Sequence, residues 1–272
     1  MAHIRFLCRL GTDFSDKVWM SSDICGLICA LLCWLLHIFS FSVVSDILSP
    51  ELWDTSPTLR LVLLFAYTIF FVLSLTSHFM AMFTDPGAVP KSARPISNYF
   101  ETMILPGSQV AIEGAALQEK EDRIKKRSCP RCGDIFKPPR AHHDSITGRC
   151  IIKFDHYCPW VCNAVGLRNH KFFLLFIFYT SLNGMLSFTV MLRNIASCSI
   201  KTHIKTSNST TTNDDDKLFT YKQIGCDSFF SSNVMVLFVI TLLFTLFTCC
   251  MLIDQSEAIT TNVNKIGRMK RR

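Results

Sequence analysis

Four apolar stretches constrain this chain more than any other feature. They run from Ile24 to Val44, Leu59 to Met82, Phe172 to Leu192 and Asn233 to Ile253, and each matches the roughly 20 residues with which an α-helix crosses a bilayer. A soluble core could hide one such segment. It could not hide four in a 272-residue chain with 49% hydrophobic residues, 18% charged residues and 23 Phe. Inside a bilayer every backbone polar group must be paired within the protein, which makes helices the expected form. The expected fold class is an all-α polytopic membrane protein with transmembrane helices at 24–44, 59–82, 172–192 and 233–253. The first stretch starts too far in and is too long for the apolar core of a signal peptide, and no small-residue cleavage site follows it.

The net charge of +7 sits in blocks beside these spans, which argues for topology signals rather than nucleic-acid binding. Arg5, Arg9 and Lys17 precede the first span. The loop after it holds Asp46, Glu51 and Asp54, with no Lys or Arg before Arg60. Between the second and third spans lie Lys125, Lys126, Arg127, Arg131, Arg140 and Arg149, and the chain ends with Lys265, Arg268, Lys270, Arg271 and Arg272. Basic segments stay on the cytosolic side, so residues 1–23, the central segment and the basic tail 254–272 are expected there. The 193–232 loop is expected on the lumenal side despite Lys201, Lys205, Lys217 and Lys222. It carries the glycosylation pattern Asn208-Ser209-Thr210. Cys198 and Cys226 in the same loop read equally as a disulfide or as two thiols. The linker 83–128 begins with Asp85-Pro86-Gly87 and holds Pro90, Pro95 and Pro106, an extended composition. Residues 111–127 then favour a short charged helix.

Thirteen cysteines do not make a disulfide scaffold here, because one cluster alone has metal-ligand spacing. Cys129-Pro130-Arg131-Cys132 is a C-x2-C knuckle, followed by His142, His143 and Cys150. Cys129, Cys132, one of the histidines and Cys150 would form a closed Cys3His zinc site, and a closed site is structural. Asp155-His156-Tyr157-Cys158 follows. Spacing leaves Cys158 open as a further metal ligand, as a structural thiol, or as a nucleophile with His156 as base and Asp155 as the orienting carboxylate.

The run Cys129-Pro-Arg-Cys132, Lys137-Pro138-Pro139-Arg140-Ala141-His142-His143, Cys150, Phe154-Asp155-His156-Tyr157-Cys158-Pro159-Trp160, Asn163, Val165-Gly166 and Asn169-His170-Lys171-Phe172-Phe173 resembles the cysteine-rich domain of DHHC palmitoyltransferases. Asp85-Pro86-Gly87 looks like the family's DPG motif, and Thr260-Thr261 like the start of its TTxE motif, with Val263 at the glutamate position. The resemblance implies a cysteine-rich cytosolic domain at 129–173, between helices 2 and 3. It implies protein S-acyl transfer in two steps, from palmitoyl-CoA to Cys158 and then to membrane-proximal cysteines of substrate proteins. His156 would be the base, Asp155 would orient it, and the four spans would form a cavity for the acyl tail. Golgi or endoplasmic reticulum is the location it implies.

The first zinc site of the family maps onto Cys129, Cys132, His143 and Cys150. One extra residue between Cys132 and His143, relative to the commonest spacing, leaves His142 open as the alternative. The second site maps onto Asp144, Thr147, Tyr157 and Ala164, which are not a usual ligand set. One structural zinc ion is therefore expected, with Tyr157 and Thr147 hydrogen-bonding Asp144 in place of the second. The competing reading is a catalytically inactive, zinc-stabilised membrane scaffold. Retention of Asp155, His156 and Cys158 beside a lost metal site favours the enzyme. A channel finds no support, since no span carries a central pair of ionisable residues.

The remaining residues take bland roles. Cys162 reads as a small buried residue before a second acyl carrier. Asn163 and Asn169 read as structural hydrogen-bonders, and His37 and His78 as interfacial. Trp160 reads equally as a wall of the acyl entrance or an interface anchor, and the basic tail as an anionic-lipid contact or a topology signal.

Overall fold

The computed structural model describes residues 10–48, 56–94, 127–207 and 232–261, without side chains for 195, 197–207 and 232. The charged-helix segment, the glycosylation pattern, Cys226 and the basic tail lie outside these residues, as does the side chain of Cys198.

Two short parallel strands, β1 (Leu10–Gly11) and β2 (Val18–Trp19), precede helix α1 (Ile24–Ile47), and α2 (Pro57–Phe83) follows. Six strands come next: β3 (Ser128–Cys129), β4 (Ile135–Phe136), β5 (Ala141–Asp144), β6 (Arg149–Ile152), β7 (His156–Cys158) and β8 (Asn163–Val165). Helices α3 (His170–Ser207) and α4 (Ser232–Thr260) complete the order. Among the described residues, four helical segments are long and apolar enough to cross a membrane: Ile24–Ile47, Pro57–Phe83, His170–Asn194 and Asn233–Thr260. Their sides expose Leu31, Leu35, Phe65, Val72, Leu243 and Ile253, as lipid-facing surfaces would. Local chemistry sets the helix starts. Ser56 Oγ accepts the Leu59 amide ahead of Pro57 in the first turn of α2. Asp23 Oδ2 accepts the Gly26 amide at the start of α1.

The chain divides into two compact units. One comprises Leu31–His78 and Leu174–Thr260 and is helical. Its core gathers Val44, Tyr67, Val190, Met191 and Leu237. Gly184 lets α3 meet Thr245 of α4 so closely that a methyl group would collide with its Oγ1. A cavity in this unit is lined by Leu36, Leu237 and Phe244 together with His37, Tyr67 and Asn183. Of the two histidines read as interfacial, His78 is fully buried in this unit and His37 half-buried. Fully buried His78 accepts a 2.8 Å hydrogen bond at Nδ1 from Trp34 Nε1, and His37 meets the Cys33 carbonyl at 2.8 Å and Ser74 Oγ at 3.0 Å. Each ring has polar partners on the facing helix or its own, which a residue count along one span does not reveal.

The other unit comprises residues 1–30, 79–173 and 261–272. Three antiparallel hairpins organise it: β3–β4, β5–β6 with His143 opposite Cys150, and β7–β8 with Tyr157 opposite Ala164 and Cys158 opposite Asn163. The segment after α2 joins β6 as an extended edge, with the Val89 amide on the Cys150 carbonyl at 2.8 Å and the Ile152 amide on the Gly87 carbonyl at 2.9 Å. Asp85 shapes that entry by accepting the Gly87 and Ala88 amides at 2.9 and 2.8 Å.

Candidate metal centre and reactive cysteine

Each of the hairpins β3–β4 and β7–β8 contains the same turn. Cys129 and Cys158 have nearly equal backbone angles, φ −119°, ψ 106° and φ −112°, ψ 109°. Proline follows each and opens a short 3-10 turn, which a left-handed residue closes, Gly133 in the first and Cys162 in the second. In the first copy the third turn residue is Cys132, so two sulfurs face one point. In the second it is Val161, so Cys158 has no knuckle partner. This near-repeat explains how Cys158 looks like a metal ligand in sequence without being one of the clustered four.

The ligand atoms of Cys129, Cys132, His143 and Cys150 all lie within 4.8 Å of one another. Cys132 and Cys150 sulfurs are 3.8 Å apart, and His143 Nδ1 lies 3.2 Å from Cys132 and 3.7 Å from Cys129. A tetrahedral ion bound by sulfur at about 2.3 Å has ligand–ligand edges of about 3.8 Å. The four residues therefore fit one metal ion, and His143 rather than His142 supplies the imidazole. Burial and the neighbouring sulfurs push the Cys150 thiol up to about 12, and a bound cation is what allows such thiols to ionise.

Asp155, His156 and Cys158 come together on the second hairpin. Buried Asp155 accepts a 2.9 Å hydrogen bond from His156 Nδ1. That leaves Nε2 for proton exchange, and the nearby Cys158 side chain adds to the pull of Asp155 toward the imidazolium. Phe173 packs edge-on against the ring at 5.4 Å. Burial alone would lower the histidine, but Asp155 and Cys158 outweigh it and push His156 up to about 9. Cys158 is 7% exposed. The group is thus a thiol beside an imidazolium whose orientation a carboxylate fixes, an arrangement suited to nucleophilic attack.

The positions expected to replace a second metal pair differently from expectation. Buried Asp144 accepts the Thr147 backbone amide at 2.9 Å, but Tyr157 does not reach it. Tyr157 instead donates to Asp23 Oδ2 at 3.1 Å, because on β7 it projects away from the face shared by His156 and Cys158. Cys162 is buried, its sulfur surrounded by the Ser21 and Asp23 carbonyls and the Tyr157 hydroxyl, and burial raises its thiol.

Sequence reading missed the N-terminal segment as part of this site. Trp19 Nε1 donates to Asn163 Oδ1 at 2.8 Å, and Thr12 Oγ1 donates to the Thr147 carbonyl at 2.9 Å. Arg149 donates to the Thr12 carbonyl at 2.6 Å and to the Val89 carbonyl at 3.0 Å, and stacks on Phe14 at 3.7 Å. These pairs span about 60 to 144 residues, so no local pattern announces them.

The asparagines have the structural role expected of them. Asn163 Nδ2 faces the Ala81, Met82 and Thr84 carbonyls at the end of α2, each at 3.0 Å, groups a helix end leaves unpaired. Asn169 bonds the Gly166 amide and the Ala164 and Ala81 carbonyls. Asn163→Ala is expected to destabilise the protein by about 2–4 kcal/mol, since fully buried carbonyls and the Trp19 indole lose their partner together. A thermal melt of the purified variant checks this; an unchanged melting temperature would contradict it.

The DHHC palmitoyltransferase family profile matches residues 122–272. The chain is 38% identical to palmitoyltransferase ZDHHC7 of Mus musculus over 177 residues, 64% of this chain and 50% of that protein. It is 33% identical to palmitoyltransferase ZDHHC3-A of Danio rerio over 261 residues, 94% of this chain and 70% of that protein. It is 37% identical to probable protein S-acyltransferase 14 of Arabidopsis thaliana over 139 residues, 51% of this chain and 44% of that protein. The match to the mouse protein thus spans about half of that relative's length. With the family profile covering more than half of its residues and 94% of the chain matched to 70% of the Danio rerio relative, the chain belongs to the DHHC palmitoyltransferase family.

Proposed function

We propose that this protein is an S-acyltransferase that takes a palmitoyl group from palmitoyl-CoA onto Cys158 and passes it to cysteines of other proteins at the cytosolic membrane face. The observation that carries the reading is the Asp155–His156 hydrogen bond beside Cys158, on a knuckle turn that lacks a second sulfur. The Cys158 thiolate attacks the carbonyl carbon of the CoA thioester. The bond to the CoA sulfur breaks, and the departing CoA thiolate takes a proton from the His156 imidazolium. In the second half the acceptor thiol gives its proton to His156, attacks the Cys158 thioester, and releases the Cys158 thiolate. Asp155 holds the imidazole in the tautomer that both halves use.

Cys129, Cys132, His143 and Cys150 would hold one zinc ion, for which three thiolates and an imidazole are a suitable donor set. Bound there, the ion would cross-link β3, β5 and β6 and take no part in the transfer, since all four positions are filled by the protein. Asp144, Thr147, Tyr157 and Ala164 would hold no second ion.

Transfer to an acceptor tests the reading. Full-length protein in nanodiscs receives alkyne-tagged palmitoyl-CoA, excess donor is removed, and a membrane-anchored cysteine peptide is added. The tag is expected to leave the protein and appear on the peptide, with hydroxylamine releasing it from both. A protein that folds and binds its metal but never takes the tag would instead support the inactive scaffold.

The pH dependence of stability follows from His156. Its folded pKa of about 9 lies above the ordinary 6.5. The stability it contributes is therefore fully present below about 6.5 and is lost as pH rises through about 9. Asp155→Asn weakens the partner that holds the imidazolium. The melting-temperature gap between wild type and this variant is expected to be widest near pH 6, to shrink as pH rises from there, and to be lost above 9. A gap that stays constant across that range would contradict the assignment.

A further inference from the structure

We propose that Tyr157 is a positioning residue for Cys158, acting through a hydroxyl seated on Asp23; this rests on the acyl-transfer reading of Cys158. Along β7 the side chains alternate, so His156 and Cys158 share one face and Tyr157 anchors the strand from the other. Asp23 Oδ2 accepts the Tyr157 hydroxyl at 3.1 Å and the Gly26 amide at 2.8 Å. One carboxylate oxygen therefore caps α1 and holds the strand that carries the reactive cysteine. Ser21 Oγ lies 3.3 Å and Cys162 Sγ 3.9 Å from the same hydroxyl. The Tyr157 ring packs against the cluster of Trp19, Ile151 and Ala164.

Gly26 makes the approach possible. A Cβ there would lie 2.8 Å from Asp23 Oδ2, 2.8 Å from Cys162 Sγ and 2.9 Å from the Tyr157 hydroxyl. Any side chain would force these three side-chain ends apart and so disturb the hydroxyl–carboxylate contact. The anchor thus comprises a hydroxyl, a carboxylate, a helix cap and a residue without a side chain. It fixes the backbone from which Cys158 projects, and small errors in a nucleophile's position are costly in rate.

The test uses full-length protein in nanodiscs and the variants Tyr157→Phe, Asp23→Ala, Asp23→Asn, Gly26→Ala and the double variant Tyr157→Phe/Asp23→Ala. Initial rates of Cys158 acylation are measured across palmitoyl-CoA concentrations. Tyr157→Phe, Asp23→Ala and Gly26→Ala are each expected to lower the maximal rate about tenfold while the half-saturating concentration stays put. Asp23→Asn is expected to keep the wild-type rate, because its amide oxygen accepts both bonds. The double variant is expected to be no slower than either single one, as for two groups acting as a unit. A wild-type rate for Tyr157→Phe, or an Asp23→Asn variant as slow as Asp23→Ala, would overturn the proposal.

Alkylation of Cys158 by a maleimide, in the absence of acyl-CoA, separates this proposal from the acyl-transfer reading. Wild type that alkylates but never acylates sinks that reading. Alkylation then decides the anchor: an altered rate in Tyr157→Phe that Asp23→Ala reproduces and Asp23→Asn does not supports it, and an unchanged rate overturns it.

Discussion

Cys150→Ser is expected to leave a protein whose cysteine-rich segment does not stay folded. The strands that carry this segment are two to four residues long, and the buried cluster beside the ligand residues is small: Val89, Cys129, Ala141 and Cys150 with a few half-buried neighbours. Even with the second small cluster of Trp19, Ile151 and Ala164, so little apolar burial does not offset the entropy of ordering some forty residues. A structural metal does, with apparent binding free energies of about 10–16 kcal/mol in small zinc modules. Loss of one of four ligands removes several kcal/mol of this and leaves buried thiols without a cation. Limited proteolysis is expected to cut between Ser128 and Val165 at protease levels that leave wild type intact, and bound metal is expected to fall from one equivalent to none. Strong chelation of wild type should reproduce both results. A protease-resistant, metal-free Cys150→Ser protein would show that the hairpins stand without the ion.

The second large effect falls on the chemistry and spares the fold. Cys158→Ser is expected to abolish acylation, a loss of at least about a thousandfold, because a serine hydroxyl beside the same imidazole is a far weaker nucleophile. His156→Ala should cost about a hundredfold to ten-thousandfold, the usual range for a proton-transfer group. Both variants should keep their metal and their protease resistance, since neither residue is among the four clustered ligands. Cys162→Ser should still carry the label on Cys158, because its sulfur is 1% exposed and its thiol is pushed up by burial. Stopped-flow or quenched labelling of the four proteins side by side distinguishes these cases. A label that moves to Cys162, or that survives in Cys158→Ser, would contradict the assignment.

The helices were legible because membrane burial imposes a long, nearly uniform apolar run; α1, α2 and α4 run over those stretches and a few residues beyond, while α3 continues well past Leu192 to Ser207. The metal cluster was legible because C-x2-C and the following His and Cys must lie close in sequence to close a small ring. The choice between His142 and His143 was not. It depends on strand alternation in β5, where only one of two adjacent side chains faces Cys150 across the hairpin. Freedom of Cys158 from the metal was equally hidden, since it depends on Val161 standing where a knuckle would have its second cysteine. The partner of Tyr157 lay 134 residues away at Asp23, and His37 and His78 took partners from α1, α2 and α3. Contacts of that separation come from packing, which composition and spacing do not encode.

The central claim is that Cys158 carries an acyl group as a thioester. The most direct measurement is the intact mass of full-length protein after brief exposure to palmitoyl-CoA, followed by hydroxylamine and peptide mapping. The expected result is a gain of one palmitoyl group, mapped to Cys158, removed by hydroxylamine, and absent from Cys158→Ser. Folded, metal-bound wild type that gains no mass, or gains it at another cysteine, would contradict the claim.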